Sequence, residues 1–99
     1  MNIEKMMKDL QRMQSKLQDE IETLEVEATS GGGVVTVKMN GKKDLLGLTL
    51  SAEAITPDDP GMLQDLIVAA INQAGRKVDA EIERKTQGLA GGLKIPGRS

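Results

Sequence analysis

Val35-Thr36-Val37-Lys38-Met39-Asn40-Gly41-Lys42-Lys43-Asp44-Leu45-Leu46-Gly47-Leu48-Thr49-Leu50 decides the fold. Val35, Val37 and Met39 alternate with Thr36 and Lys38, the period-two pattern of a strand with one apolar face. Leu46, Leu48 and Leu50 share one face of another strand beyond Asn40-Gly41. An Asn-Gly pair favours a type I′ hairpin turn, because both central residues then need positive φ. Upstream, Glu25-Val26-Glu27-Ala28-Thr29 alternates as well, and Ser30-Gly31-Gly32-Gly33 reads as a flexible connection. The expectation is a three-stranded antiparallel meander with one apolar face.

The period changes on both sides of the meander. Ile3, Leu10, Leu17 and Leu24 recur every seven residues, Met6 and Met13 lie midway, and Ile21 widens the stripe where Glu20 takes the next position. This is an a/d seam on a helix predicted over residues 3–24, which holds neither Gly nor Pro. Its methionines read as flexible packing residues. After the strands, residues 51–56 fit no one element, and Thr56-Pro57-Asp58-Asp59-Pro60-Gly61 reads as a loop. Asp59 suits an N-cap and Pro60 the first helical position. A long helix is predicted from Met62 to about Gln87, with Leu63, Leu66, Ile67, Ala70, Ile71, Ala74, Val78 and Ile82 as its apolar stripe. Gly88 is expected to stop it.

The predicted class is α+β, in the order α-β-β-β-α. Residues 1–88 form the domain, and residues 89–99, with Gly91, Gly92, Pro96 and Gly97, form a flexible Gly-rich tail. Both helices are too long for three short strands to cover, so their ends are expected to protrude. The core and dimer residues expected are Leu63, Leu66, Ile67, Ile71, Val35, Val37 and Leu48.

A chain of 99 residues with no Phe, Trp or Tyr builds only a modest core. Disulfides, metals and oligomerisation can staple a small core. Cysteine and histidine are absent, which removes disulfides and the usual zinc ligands, so a homodimer is expected. Met1-Asn2-Ile3-Glu4-Lys5 has no apolar stretch behind it like that of a signal peptide. No run is apolar and long enough to span a bilayer, so a cytoplasmic protein with no membrane partner is expected.

Catalysis needs a poised acid, base, nucleophile or metal. Ser15, Ser30, Ser51 and Ser99 have no histidine to activate them, and Asp58 and Asp59 read as helix-start residues. Gly31-Gly32-Gly33 lacks the Gly-Lys-Ser/Thr of a phosphate-binding loop. No enzyme, metal, cofactor or small-molecule substrate is expected.

Charge is more informative. Thirteen basic and fifteen acidic residues give a net charge of −2, so any anionic partner must be met by local clusters. Lys5, Lys8, Arg12 and Lys16 follow at spacings of three and four, on the side of the first helix away from its seam. The acids Asp19, Glu20, Glu22, Glu25 and Glu27 collect where that helix meets the strands. Arg76, Lys77, Arg84 and Lys85 lie on the last helix, interleaved with acids, and Lys38, Lys42 and Lys43 sit near the hairpin tip.

Met62-Leu63-Gln64-Asp65-Leu66-Ile67-Val68-Ala69-Ala70-Ile71-Asn72-Gln73-Ala74, with basic residues following, resembles the signature of the YbaB/EbfC family. The Gly-rich entry to a Val-alternating hairpin over residues 31–51 is similar too. So are the Met- and Gln-rich first helix (Met6, Met7, Met13, Gln11, Gln14) and the tail around Lys94-Ile95-Pro96. The resemblance implies a homodimer whose helices protrude like tweezers from a shared sheet. It also implies a nucleoid location and nonspecific duplex binding, tied to nucleoid organisation, recombination or gene expression.

Two functional readings follow. In the first, a homodimer binds duplex DNA through its phosphate backbone, with Lys5, Lys8, Arg12, Lys16, Arg76, Lys77, Arg84 and Lys85 as the contacts. The lack of aromatic residues removes base stacking, and no base-reading motif is present, so little sequence selectivity is expected. In the second, the amphipathic helical arms make the protein a non-enzymatic interaction adaptor.

Overall fold

The structure is a computed structural model that describes residues 2–55 and 57–90. Its elements are α1 (Ile3–Glu22), β1 (Glu25–Ser30), a 3₁₀ turn at Gly31–Gly33, β2 (Val35–Asn40), β3 (Leu45–Leu50), a 3₁₀ turn at Ala52–Ala54 and α2 (Pro60–Ala90). The strands form one antiparallel sheet in the order β1-β2-β3, which is the meander the alternation predicts.

Local chemistry sets the helix ends. Lys5 N donates to Asn2 Oδ1 at 3.3 Å at the start of α1. At its end Thr23 Oγ1 donates to the Asp19 carbonyl at 2.8 Å. Asp59 caps α2 as expected, accepting from Met62 N at 3.0 Å through Oδ1. The far end of α2 differs from expectation. The helix passes through Gly88 to Ala90, because a glycine costs a helix only about 1 kcal/mol and does not by itself end one. The expected tail beyond residue 90 lies outside the described residues.

The two strand connections solve different problems. Gly31, Gly32 and Gly33 all have positive φ (62°, 73° and 98°), so the turn between β1 and β2 is built in a conformation that side chains resist. The Asn40-Gly41 pair does not make the expected type I′ turn, since neither residue has positive φ. Instead Lys43 N donates to the Asn40 carbonyl, Asn40 N donates to the Asp44 carbonyl, and Lys43 takes φ 65°. This is the three-residue hairpin with a left-handed third position. Asn40 holds it through Oδ1, which accepts from Lys42 N and Asp44 N at 2.9 Å each. Gly41 is needed for proximity: a Cβ there would overlap the backbone carbonyl of Ile21, where α1 closes on the hairpin.

The core lies between α2 and one face of the sheet. Val35, Val37, Met39, Ala28, Ala54, Ala70, Ala74 and Val78 are buried. Small residues on the inner stripe of α2 let its backbone approach the strands closely. The expected core residues Val35 and Val37 lie in this layer, whereas Leu63, Leu66, Ile67 and Ile71 form its partly buried rim. Leu48 pairs with Val37 yet is 42% exposed in the single chain, because α2 lies mainly on β1 and β2. The expected shared face of Leu46, Leu48 and Leu50 is also interrupted. A bulge shifts the register between Lys38 and Met39, so Lys38 pairs with Gly47 and Met39 with Leu45, and Leu46 is the extra residue.

Polar ties fix α2 along the sheet. Ser30 Oγ donates to the Leu66 carbonyl at 2.6 Å, Lys77 Nζ donates to the Glu27 carbonyl at 2.8 Å, and Lys43 Nζ lies 2.8 Å from Asp79 Oδ1. The helix therefore runs from the glycine turn to the hairpin tip and on to the last turn of α1. The free part of α1 continues from there, and the molecule measures 70 × 28 × 15 Å.

Candidate nucleic-acid interface

Every described residue of α1 up to Lys16 is exposed, so its first four turns project from the body. Good helix formers and the Asn2 cap keep the arm helical without a tertiary partner. Lys5, Lys8, Arg12 and Lys16 follow one line along it, and none forms an ion pair among the described residues. Lys8, Gln11, Arg12, Ser15, Lys16 and Asp19 line a shallow open groove, in which ammonium, guanidinium, amide and hydroxyl donors sit beside one carboxylate. Such a row can donate to successive phosphate oxygens without reading a base. Lys5 and Lys16 are eleven residues apart, which spans roughly 16 Å of helix.

The cations of α2 are placed differently. Arg84 is held by Glu81 at 2.9 Å, Lys85 lies 4.0 Å from Glu20, and Lys77 is bound to the Glu27 carbonyl. The hydrogen bond from Arg84, and then its charge, hold the Glu81 carboxyl below its ordinary value, and the same bond raises the Arg84 guanidinium. Arg76 forms no ion pair among the described residues and borders a hollow with Lys43 and Asp79. The expected contact residues thus fall into a free row on α1 and a mostly engaged set on α2. The tie between Lys43 and Asp79 joins residues 36 apart, and no local pattern announces it.

Other exposed positions are apolar. Leu45, Leu46 and Leu48 on β3 are exposed, as are Ile55, Met62 and Val68. The α1 seam is also uncovered, with Ile3, Met6, Leu10 and Met13 between 40% and 69% exposed. Among the described residues there is no group of three or more metal-ligating side chains, and no helix is long and apolar enough to cross a membrane.

Fold and surface together define a small α+β protein that presents a projecting helix with a cationic line on one side and an apolar seam on the other. The chain belongs to the YbaB/EbfC DNA-binding family, whose pattern matches residues 1–93. It is 48% identical to a nucleoid-associated protein of Clostridium novyi (strain NT), over 98% of this chain and 88% of that one. It is 47% identical to a nucleoid-associated protein of Chloroflexus aurantiacus (strain ATCC 29366 / DSM 635 / J-10-fl), over 90% of this chain and 89% of the relative. The crystal structure of an uncharacterized protein from Helicobacter pylori has the same fold, with a TM-score of 0.70, 22% identity and coverage of 90% of this chain and 97% of that one.

Proposed function

We propose that the chain is a cytoplasmic, nucleoid-associated protein that binds duplex DNA as a homodimer, through the phosphate backbone and with little sequence selectivity. One observation carries this reading within a DNA-binding family: the row of Lys5, Lys8, Arg12 and Lys16, exposed and free of ion pairs among the described residues. Backbone contacts suit the groove beside them, which offers several donors and no aromatic platform. The dimer is supported by the uncovered part of the sheet. Leu45 and Leu48 lie next to half-buried Leu50, and a second copy placed there would bury each leucine for about 2 kcal/mol.

Titration of random-sequence duplex DNA tests the reading. Replacing Lys5, Lys8, Arg12 and Lys16 together by Gln is expected to abolish binding at moderate salt and to leave the dimer formed through β3 intact. Binding by this variant at the wild-type level would overturn the assignment to the arm. The exposed Met-lined seam favours the other reading, an interaction adaptor. Failure of the wild-type protein to bind duplex even at low salt would select that reading.

A further inference from the structure

We propose that α1 is itself an interface between copies of this chain, in which two arms pair antiparallel as a short coiled coil and link dimers to one another. This goes beyond the reading above, because the pairing uses the seam of α1 and neither β3 nor DNA. The seam repeats in heptads, with Ile3, Leu10 and Leu17 at a and Met6, Met13 and Glu20 at d. Nothing among the described residues covers its free half, where Ile3, Met6, Leu10 and Met13 lie exposed. A heptad seam left open over this length stays in water unless another helix meets it.

The occupant follows from self-complementarity. In an antiparallel pair each a residue faces a d residue of the other helix. If Leu10 faces Met13 of a second copy, then Met6 faces Leu17 of that copy, and the two-fold axis passes midway between residues 11 and 12. In this register the flanking g positions bring Asp9 beside Lys16 of the second copy, twice by symmetry. The e positions bring Gln14 beside Gln14 of the second copy, and Met7 beside Ile21. Leu17 and Ile21 are already half-buried against their own chain, so they form a firm floor on which the flexible Met6 and Met7 close.

The alternatives are worse by charge. Sliding one helix by a heptad, so that Met6 faces Leu10, sets Asp9 against Asp9 of the second copy. Parallel pairing leaves Asp9 beside Gln14 and Lys16 beside Ile21, with neither charge matched. The antiparallel register keeps Lys5, Lys8 and Arg12 on the outer side of the pair, while Lys16 moves to its flank.

The pairing cannot use the copy that covers β3. The sheet lies beyond the last turn of α1, where Gly41 meets Ile21. A two-fold midway between residues 11 and 12 therefore carries the two sheets to opposite ends of the pair, roughly 30 Å apart at 1.5 Å per residue. Two different symmetric contacts on one chain produce assemblies larger than the dimer.

The test is made without DNA, on the full chain, by sedimentation over a range of concentrations. Asp9→Lys and Lys16→Asp are each expected to weaken association beyond the dimer by about tenfold, since two attractive flanking pairs become repulsive. The double reversal is expected to restore it. Both positions are exposed, so circular dichroism is expected to show all three variants folded. In a chain without cysteine, Gln14→Cys is expected to be joined by a short bis-maleimide, whereas Ser15→Cys on the outer side is not. In a Leu48→Asp background, which opens the β3 contact, the arm pair is expected to survive as an assembly of two chains. Charge reversals whose effects simply add, or equal cross-linking at Gln14→Cys and Ser15→Cys, would overturn the proposal and leave the DNA reading standing.

Discussion

Two glycines of the hairpin region show how unlike the duties of one residue type are. Gly41 is buried where α1 closes on the β2–β3 turn, and a methyl group there would meet the Ile21 carbonyl, part of a helix backbone that cannot move alone. Gly47, on β3, has open space around its Cβ position. Gly41→Ala is therefore expected to lower stability by about 2 kcal/mol, the cost of overpacking a tight site. Gly47→Ala is expected to leave stability unchanged or raise it by about 0.5 kcal/mol, as an alanine does in a strand. Urea denaturation of the two variants reads the difference, and equal midpoints would show that the α1–hairpin contact is loose. Asp59→Ala is a third case, in which the loss of the bond to Met62 N is expected to cost about 1 kcal/mol.

At the scale of elements, periodicity carried most of the information. The seven-residue repeat of α1, the alternation of β1 and β2 and the Asp59-Pro60 start of α2 are local patterns, and each element formed where its pattern lies. What failed was not local. Asn40-Gly41 satisfies the preference for a tight turn, yet the structure has the longer form, in which α1 closes on Gly41 and Lys43 pairs with Asp79. Gly88 is a poor helix residue, yet α2 continues through it. Leu48 has the pattern of a core residue, and only the position of α2 over the other strands leaves it bare. The α1 row was equally legible as a pattern, but the freedom of its cations depended on which acids lie near, and that came only from the fold. An exposed apolar residue at a helix-free part of a sheet has a distinct mutational signature. Leu48→Asp is expected to separate dimers in sedimentation without unfolding the chain, whereas Val37→Asp, wholly buried, is expected to unfold it through an unpaired buried carboxylate. Loss of fold in both variants would place Leu48 in the core of the single chain.

At the scale of the whole molecule, a protein of net charge −2 can hold a polyanion only if its charges are separated in space. In part they are: on the arm Lys5, Lys8, Arg12 and Lys16 outnumber Glu4 and Asp9, while Asp19, Glu20, Glu22, Glu25 and Glu27 lie where it joins the sheet. In the proposed complex, a duplex drawn to the arm would be repelled by its base, so the contact is expected to stay on the projecting turns. Under the proposed backbone mode, the binding free energy is expected to come mostly from counterions released by those few phosphate contacts and to fade steeply with salt. If a dimer neutralises about six to eight phosphates, a plot of log K against log salt is expected to slope by about −5 to −7. Lys8→Gln removes one contact per chain and is expected to flatten the slope by about 2 in the dimer, by similar amounts for different DNA sequences. Arg84→Gln is expected to flatten it by less than half as much, because Arg84 is already held by Glu81 at 2.9 Å and gives up that partner on meeting a phosphate. Salt titrations of the two variants on two unrelated duplexes measure this. Equal changes in slope would mean that α2 shares the duplex with the arm, and sequence-dependent changes would mean that the arm reads bases as well as phosphates.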